Sequence, residues 1–312
     1  DEILKKELDR QQGLIINDKS KYICVSACPG AGKTYTLVNK IVKELDDLKE
    51  FQGIIACSFT KESSKEIIQR LNENEKLDNS YIGTIDSFIM KLIIFPYLNR
   101  YLFSKNLISK RVEVKKIIID NDKRLNNYVR YYDSNIFIKN EANSYAKEWL
   151  DNLIKGTYSI SFPAYILATE IIKMDVFKDY FSLRYPTIYI DEAQDLNYFQ
   201  HMMLNTLKDN TDINIVLLGD PNQSIYQFRG AKPSLFRNLF NQGYNHKEIT
   251  VSVRCHPSIL YYANKIFNNN VQKNFTDSHV QIINNFNLEF LTVDLYLINY
   301  LLNYLKLLFF QL

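Results

Sequence analysis

Soft metal ligands are scarce in this chain. Its 312 residues include four cysteines, Cys24, Cys28, Cys57 and Cys255, and none forms a C-x-x-C pair. Three of them lie in or beside apolar, strand-like runs. This pattern speaks against a disulfide framework or a zinc ribbon and reads as free thiols of a reducing cytosol. The four histidines, His201, His246, His256 and His279, are scattered and make no ligand cluster. A charge excess is also missing. Lys+Arg 38 against Asp+Glu 35 leaves +3, so any groove for a polyanion must come from a local patch. No run is long and apolar enough for a membrane span, which takes ~20 largely uncharged residues. The most apolar stretch, residues 291–312, is interrupted by Asp294, Asn299, Asn303 and Lys306. Its Leu291, Leu295, Ile298, Leu302, Leu305 and Phe309 recur at helical spacing, which predicts an amphipathic helix that needs a partner surface. No charged n-region leads into an apolar h-region at the start of the chain, so no signal peptide is expected. A cytoplasmic location with no membrane partner is the expectation. No internal repeat is present.

What the chain does have is a 46% apolar fraction, enough for a buried core, and a length that suits two domains or one domain with a large insertion. Residues 22–26 (Tyr-Ile-Cys-Val-Ser) read as a buried strand. Pro29, Gly30 and Gly32 then break the chain, and Leu37, Val38, Ile41, Val42, Leu45 and Leu48 mark one face of a following helix. Residues 54–58 predict a second strand, with a helix after it that turns Ile67, Ile68 and Leu71 inward. Residues 97–180 are rich in Lys, Asn and Tyr and read as mostly helical. Strand signals return at residues 187–190, 213–218 and 249–253, the last leading to a helix over 257–267. Strands alternating with helices predict a parallel sheet covered on both faces.

The strongest motif is Ala27-Cys28-Pro29-Gly30-Ala31-Gly32-Lys33-Thr34, set between a strand and a helix as a phosphate-binding loop requires. Gly30 and Gly32 permit a tight turn whose N–H groups can face phosphates. The following helix adds the partial positive charge of its N-terminus. Lys33 is placed to reach β- and γ-phosphates and the Thr34 hydroxyl to hold Mg²⁺. The strict pattern has Gly where Ala27 stands. A second motif, Ile188-Tyr189-Ile190-Asp191-Glu192-Ala193-Gln194-Asp195, ends an apolar strand in two acids. Asp191 suits Mg²⁺, usually through water, and Glu192 suits orienting and deprotonating an attacking water. Acids that merely cap a strand would look the same in isolation; the phosphate loop makes the pair meaningful.

With Leu218-Gly219-Asp220-Pro221-Asn222-Gln223-Ser224-Ile225-Tyr226-Gln227-Phe228-Arg229-Gly230-Ala231 added, the chain resembles UvrD/Rep/PcrA-type superfamily 1 DNA helicases. That run follows the family's third motif nearly letter for letter. Four weaker matches fall in order. Gln12 is similar to the family's adenine-reading glutamine. Ser58-Phe59-Thr60-Lys61-Glu62-Ser63-Ser64 resembles motif Ia, with the usual Asn-Lys-Ala-Ala altered. Gly83-Thr84-Ile85-Asp86-Ser87-Phe88 resembles motif Ib, with Asp86 where His is usual. Val253-Arg254-Cys255 followed by Ala263-Asn264 resembles motif IV. The resemblance runs roughly over residues 10–267.

The resemblance implies ATP and Mg²⁺ as cofactors. The partner it implies is single-stranded DNA or a duplex with a single-stranded tail, translocated 3′→5′ and unwound in replication or repair. ATP would be held by Gln12, Cys28, Pro29, Gly30, Ala31, Gly32, Lys33 and Thr34, with Thr34 and Asp191 toward the metal. Glu192, Lys33, Gln223 and Arg254 would be catalytic, Gln223 sensing the γ-phosphate and Arg254 acting as an arginine finger from a second motor domain. Phe59, Tyr226 and Phe228 would stack on bases with Arg229 nearby, and Thr84 and Ser87 would touch the DNA backbone.

The expected fold is α/β: a RecA-like P-loop NTPase parallel sheet with a helical insertion and the start of a second, incomplete RecA-like domain. The first domain would take residues 1–97 and 180–247, the helical insertion 98–179, and a partial second motor domain 248–312 with an atypical C-terminal helix. No arginine follows Arg254, and the residues after it are too few for an α/β domain of ~100–150 residues. The chain is therefore expected to be the ATP-binding portion of a helicase, a fragment, a frameshifted product or a natural short form, weak or inactive alone. A partner chain is one source of the missing second motor domain. The alternative is an ATP- and DNA-binding module without turnover of its own. A nuclease fusion is disfavoured, because no acid cluster with a nearby lysine stands outside the motor motifs.

Overall fold

The computed structural model describes residues 2–71, 77–113, 116–117, 148–152, 157–158, 162–227, 230–252 and 254. Six parallel strands form one sheet: β1 (Tyr22–Ala27), β2 (Ile55–Ser58), β3 (Tyr81–Thr84), β4 (Thr187–Ile190), β5 (Asn214–Gly219) and β6 (Asn245–Ile249). Their order across the sheet is β3-β2-β4-β5-β1-β6. Val25 of β1, for example, pairs with Leu218 on one side and Lys247 on the other. An all-parallel sheet has both faces to bury, so its central strands read as continuous apolar runs. β2, β4 and nearly all of β5 are buried along their length.

Side-chain alternation divides those runs between two cores. Ile23, Val25, Ala56, Tyr189, Val216 and Leu218 face α1 (Glu2–Ile16), α2 (Lys33–Leu45) and α3 (Lys61–Leu71), meeting Ile15, Leu37, Ile41, Leu45 and Ile67. Cys24, Ile55, Cys57, Ile188, Ile190, Ile215 and Leu217 face the other way. Their partners come from α4 (Ile85–Phe88), α5 (Phe95–Ser104), α6 (Phe162–Ile172), α7 (Asp175–Arg184) and α8 (Tyr198–Asn210). Each fully buried Ile or Leu contributes about 1.5–3 kcal/mol, so the sheet is a rigid platform for the loops at its ends. The fold is the α/β, P-loop type expected.

Between α4 and α5 lies a π-helical turn, Ile89–Ile94. Pro96, in the first turn of α5, gives its local cause. Its missing N–H and its ring disturb the regular i→i−4 ladder, and a wider turn relieves the clash. Much of the segment assigned to a helical insertion packs on the sheet itself. Leu98, Leu102, Ala168, Ile171 and Phe177 share the core of Ile188 and Ile215, and residues up to 254 cluster as one compact unit. A two-residue parallel pairing, Lys116–Ile117 with Thr157–Tyr158, is the one non-helical element described there.

The strand expected over residues 249–253 lies earlier, at Asn245–Ile249. It is polar because it is an edge strand, paired with β1 alone and half-exposed over most of its length. The boundary placed between residues 247 and 248 falls inside it. The predicted helices over 257–267 and 291–312 lie outside the described residues.

Candidate active site

All the loops that carry motif residues leave the same edge of the sheet, the C-terminal ends of its strands, where ligands bind open α/β sheets. β1 runs into the glycine loop. Gly30 and Gly32 both adopt left-handed backbone at φ 72°, a conformation that costs other residues about 1–2 kcal/mol. Space is equally short. A Cβ on Gly30 would lie 2.6 Å from Ser252 Oγ and 2.9 Å from Arg254 Cβ, and one on Gly32 would lie 2.8 Å from Gln12 Nε2. Gly32 is the N-cap of α2, so Lys33 and Thr34 fill its first turn, where N–H groups have no intrahelical partners.

Two further segments close over this loop. From α1, the buried Gln12 donates from Nε2 to Ala31 O at 3.0 Å. At the end of β6, Ile249 O accepts from Cys28 N–H at 2.9 Å, while just beyond it Gln11 exchanges hydrogen bonds with Thr250 N–H (2.9 Å) and Thr250 Oγ1 (3.1 Å). Pairing with Gln11 and Cys28 thus fixes the chain that delivers Arg254 beside Gly30.

β4 delivers the acids. Asp191 is 3% exposed, and its N–H donates to Cys57 O at 2.8 Å. Burial pushes its carboxyl up to about 7; the neighbouring Glu192 adds to the rise and the Lys33 ammonium opposes it. Glu192 holds left-handed backbone at φ 52°, and its N–H donates to Asp191 Oδ1 at 3.0 Å. Such backbone at a non-glycine residue costs about 1–3 kcal/mol and collects at functional sites. β5 delivers Asp220, buried and raised chiefly by desolvation, again with Lys33 opposing. Gln223 Nε2 donates to Asp220 Oδ2 at 2.7 Å. One lysine charge therefore acts on acids from two strands, with Gln223 attached to the second acid.

Thr34 and Asp191 are both present at this edge. Among the described residues, no group of three or more His, Cys, Asp or Glu makes a protein-only metal cage. A hydroxyl, one carboxylate and a desolvated acid pair instead suit a hard cation that keeps water and leans on a ligand's phosphates.

Across the end of β4, Phe59 after β2 and Tyr226 after β5 meet ring to ring, centroids 4.7 Å apart. Thr84, at the end of β3, caps α4 by accepting from Ser87 N–H at 3.3 Å, so these two hydroxyl residues sit together at the sheet's edge. Phe228 and Arg229 lie outside the described residues.

The profile of the AAA domain family matches residues 11–229. The chain belongs to that family. Its relatives include Gabija protein GajB of Bacillus cereus (strain VD045), 33% identical over 266 residues, which cover 84% of this chain and 49% of that protein. A probable DNA helicase II homolog of Mycoplasma capricolum is 25% identical over 307 residues, covering 86% and 42%. The ATP-dependent DNA helicase PcrA of Staphylococcus epidermidis is 24% identical over 308 residues, covering 86% and 41%. The resemblance to UvrD/Rep/PcrA-type helicases is thus shared over most of this chain. The chain spans about half the length of these curated relatives, or less.

Several polar residues of this family site carried no assigned role in the sequence. Gln194, Asp195, Asp220 and Ser224 all lie inside the quoted motifs. Their signal is polarity close after a buried strand, where an unpaired polar group is costly; the bonds that cross between loops, Gln194 with Asp220 and Asp195 with Ser224, are not readable from spacing along the chain. Asp86 is similar. It is half-buried, and its carboxylate accepts from Tyr165 OH, to which Gln200 Nε2 donates at 2.8 Å. That network ties the start of α4 to α6 and α8.

Proposed function

We propose that this chain is the ATP-binding and DNA-gripping portion of an ATP-dependent single-strand DNA translocase and helicase. The supporting observation is the convergence of Lys33 with Asp191, Glu192, Asp220 and Gln223 at one sheet edge, adjoined by the Phe59–Tyr226 pair. The glycine loop, residues 28–34, takes the triphosphate, and Gln12 lies where it reads the base. Thr34 and Asp191 would hold Mg²⁺, which neutralises charge on the phosphates when bound. Glu192 orients a water toward the γ-phosphate and accepts its proton. Gln223 stands where it senses that phosphate, and Arg254, beside Gly30, where it stabilises developing charge. Phe59 and Tyr226 offer faces to bases of any sequence, and Thr84 and Ser87 offer hydroxyls to the strand. Phe228 and Arg229 belong to the same DNA surface by motif position. Movement 3′→5′, a role in replication or repair and a cytoplasmic setting are parts of this proposal that the motif resemblance alone implies.

In this reading Arg254 is the candidate arginine finger, and these 312 residues contain no arginine after it. An arginine finger is worth ~10³–10⁵ in rate, so these 312 residues tested by themselves should turn ATP over slowly if a second finger belongs to the complete cleft. The alternative, a module that binds ATP and DNA without turnover, separates by Glu192→Gln. In the helicase reading, this variant retains ATP and abolishes the slow hydrolysis measured by phosphate release. A basal rate equal to wild type would favour the module, and brisk DNA-stimulated turnover by the chain alone would contradict the need for a second half.

A further inference from the structure

Asp195 follows the acid pair by three residues, in a single 3₁₀ turn, Ala193–Asp195. It is 4% exposed, and nothing in the hydrolysis or DNA contacts above uses it. Its partners are specific. Oδ1 accepts from Ser224 Oγ at 3.1 Å. Oδ2 accepts from Gln194 Nε2 at 3.3 Å. The Tyr226 backbone N–H faces the same carboxylate and favours its charged form. Gln194 leads back to the chemistry: the same amide nitrogen donates to Glu192 Oε2 at 2.8 Å, and Gln194 Oε1 accepts from Asp220 N–H at 2.9 Å. Ser224 Oγ also reaches Gln194 O at 3.4 Å.

These bonds form one short path. At one end is the Glu192 carboxylate. At the other is the backbone of Tyr226, whose ring rests on Phe59. Buried hydrogen-bonded side chains of this kind have few alternative partners, so a shift at one end must be met at the other. We infer that Asp195 is a positioning residue that couples the state of the Phe59–Tyr226 pair to the placement of Glu192, through Ser224 and Tyr226 on one side and Gln194 on the other. A base that enters between or beside the two rings moves Tyr226. Its N–H faces Asp195, to which Ser224 is bonded, so Gln194, and with it Glu192, feels the displacement. The relay meets the Gln223–Asp220 pair at the Asp220 N–H, which donates to Gln194 Oε1. It rests on the proposed function only in taking ATP and single-stranded DNA as the two ligands.

Because binding coupling is reciprocal, the relay is measurable without hydrolysis. The affinity of a fluorescent non-hydrolysable ATP analogue with Mg²⁺ is measured for the whole chain, with and without saturating oligo(dT). The relay predicts a ratio of at least about 5-fold in wild type, falling toward one in Asp195→Ala and in Ser224→Ala. Ser224→Ala removes only one half-exposed hydroxyl, so it reports even if Asp195→Ala fails to fold. Asp195→Asn, which can still accept from Ser224, restores a substantial part of the ratio. A merely structural role would lower thermal stability in the variants and leave the ratio intact, and that outcome overturns the relay. Both ligands binding wild type with no coupling also overturns it while leaving the proposed function standing. Failure of wild type to bind either ligand overturns both.

Discussion

The rings of Phe59 and Tyr226 lie with centroids 4.7 Å apart and planes 33° from parallel. One follows β2, the other follows β5, and β4 with its acids lies between those strands in the sheet. Two aromatic faces at the rim of a phosphate-type site form a platform on which a base can stack without regard to its identity. Phe59→Ala and Tyr226→Ala should each weaken oligo(dT) binding by about 1–3 kcal/mol. The double variant should lose less than the sum, since the residues share one contact. Fluorescence anisotropy with labelled oligo(dT) checks this. Unchanged DNA affinity with a lowered melting temperature would assign the rings to core packing instead.

A second prediction concerns pH. His201 on α8 is 5% exposed, its Nε2 has no hydrogen-bond partner among the described residues, and burial pushes its imidazole down to about 4. Above about pH 6.5, the ring is neutral in folded and unfolded chains alike and titrates in neither. Between about 6.5 and 4, only the unfolded chain takes up the proton. Stability from this group therefore falls as pH falls through that window, by a total on the order of 3 kcal/mol. Carboxylates titrate in the same range, so the informative quantity is the difference between wild type and His201→Gln in denaturant melts from pH 8 to 4. Wild type should lose ground steadily below pH 6.5. Parallel curves would show that the ring is protonated in the fold.

The sequence carried the phosphate loop plainly because its glycines answer a local need: two left-handed residues and no room for a Cβ. The central strands were equally legible, since burial on both faces leaves them almost wholly apolar. β6 was not. An edge strand written Asn-His-Lys-Glu-Ile satisfies the backbone of β1 while its side chains meet solvent, and the apolar pattern begins only at Ile249, where the strand ends. The Asp195–Ser224 and Asp86–Tyr165 contacts were hidden for another reason. Each joins loops or helices that the sheet brings together, and residue spacing along the chain does not encode the crossing. Motif order located the acids, while the hydrogen bonds that orient them became visible only with the strands in register.

The central claim is that the loop of residues 28–34, with Lys33 facing the acids of β4 and β5, is a nucleoside triphosphate site. The most direct measurement is equilibrium binding of a fluorescent non-hydrolysable ATP analogue, in Mg²⁺, to wild type and to Lys33→Ala. Wild type should bind saturably. Loss of one charge-assisted contact should weaken binding by about 1.5–3 kcal/mol, a drop of tenfold or more, with the fold intact by circular dichroism. Equal affinity in the two proteins, or no binding by wild type, would contradict the account.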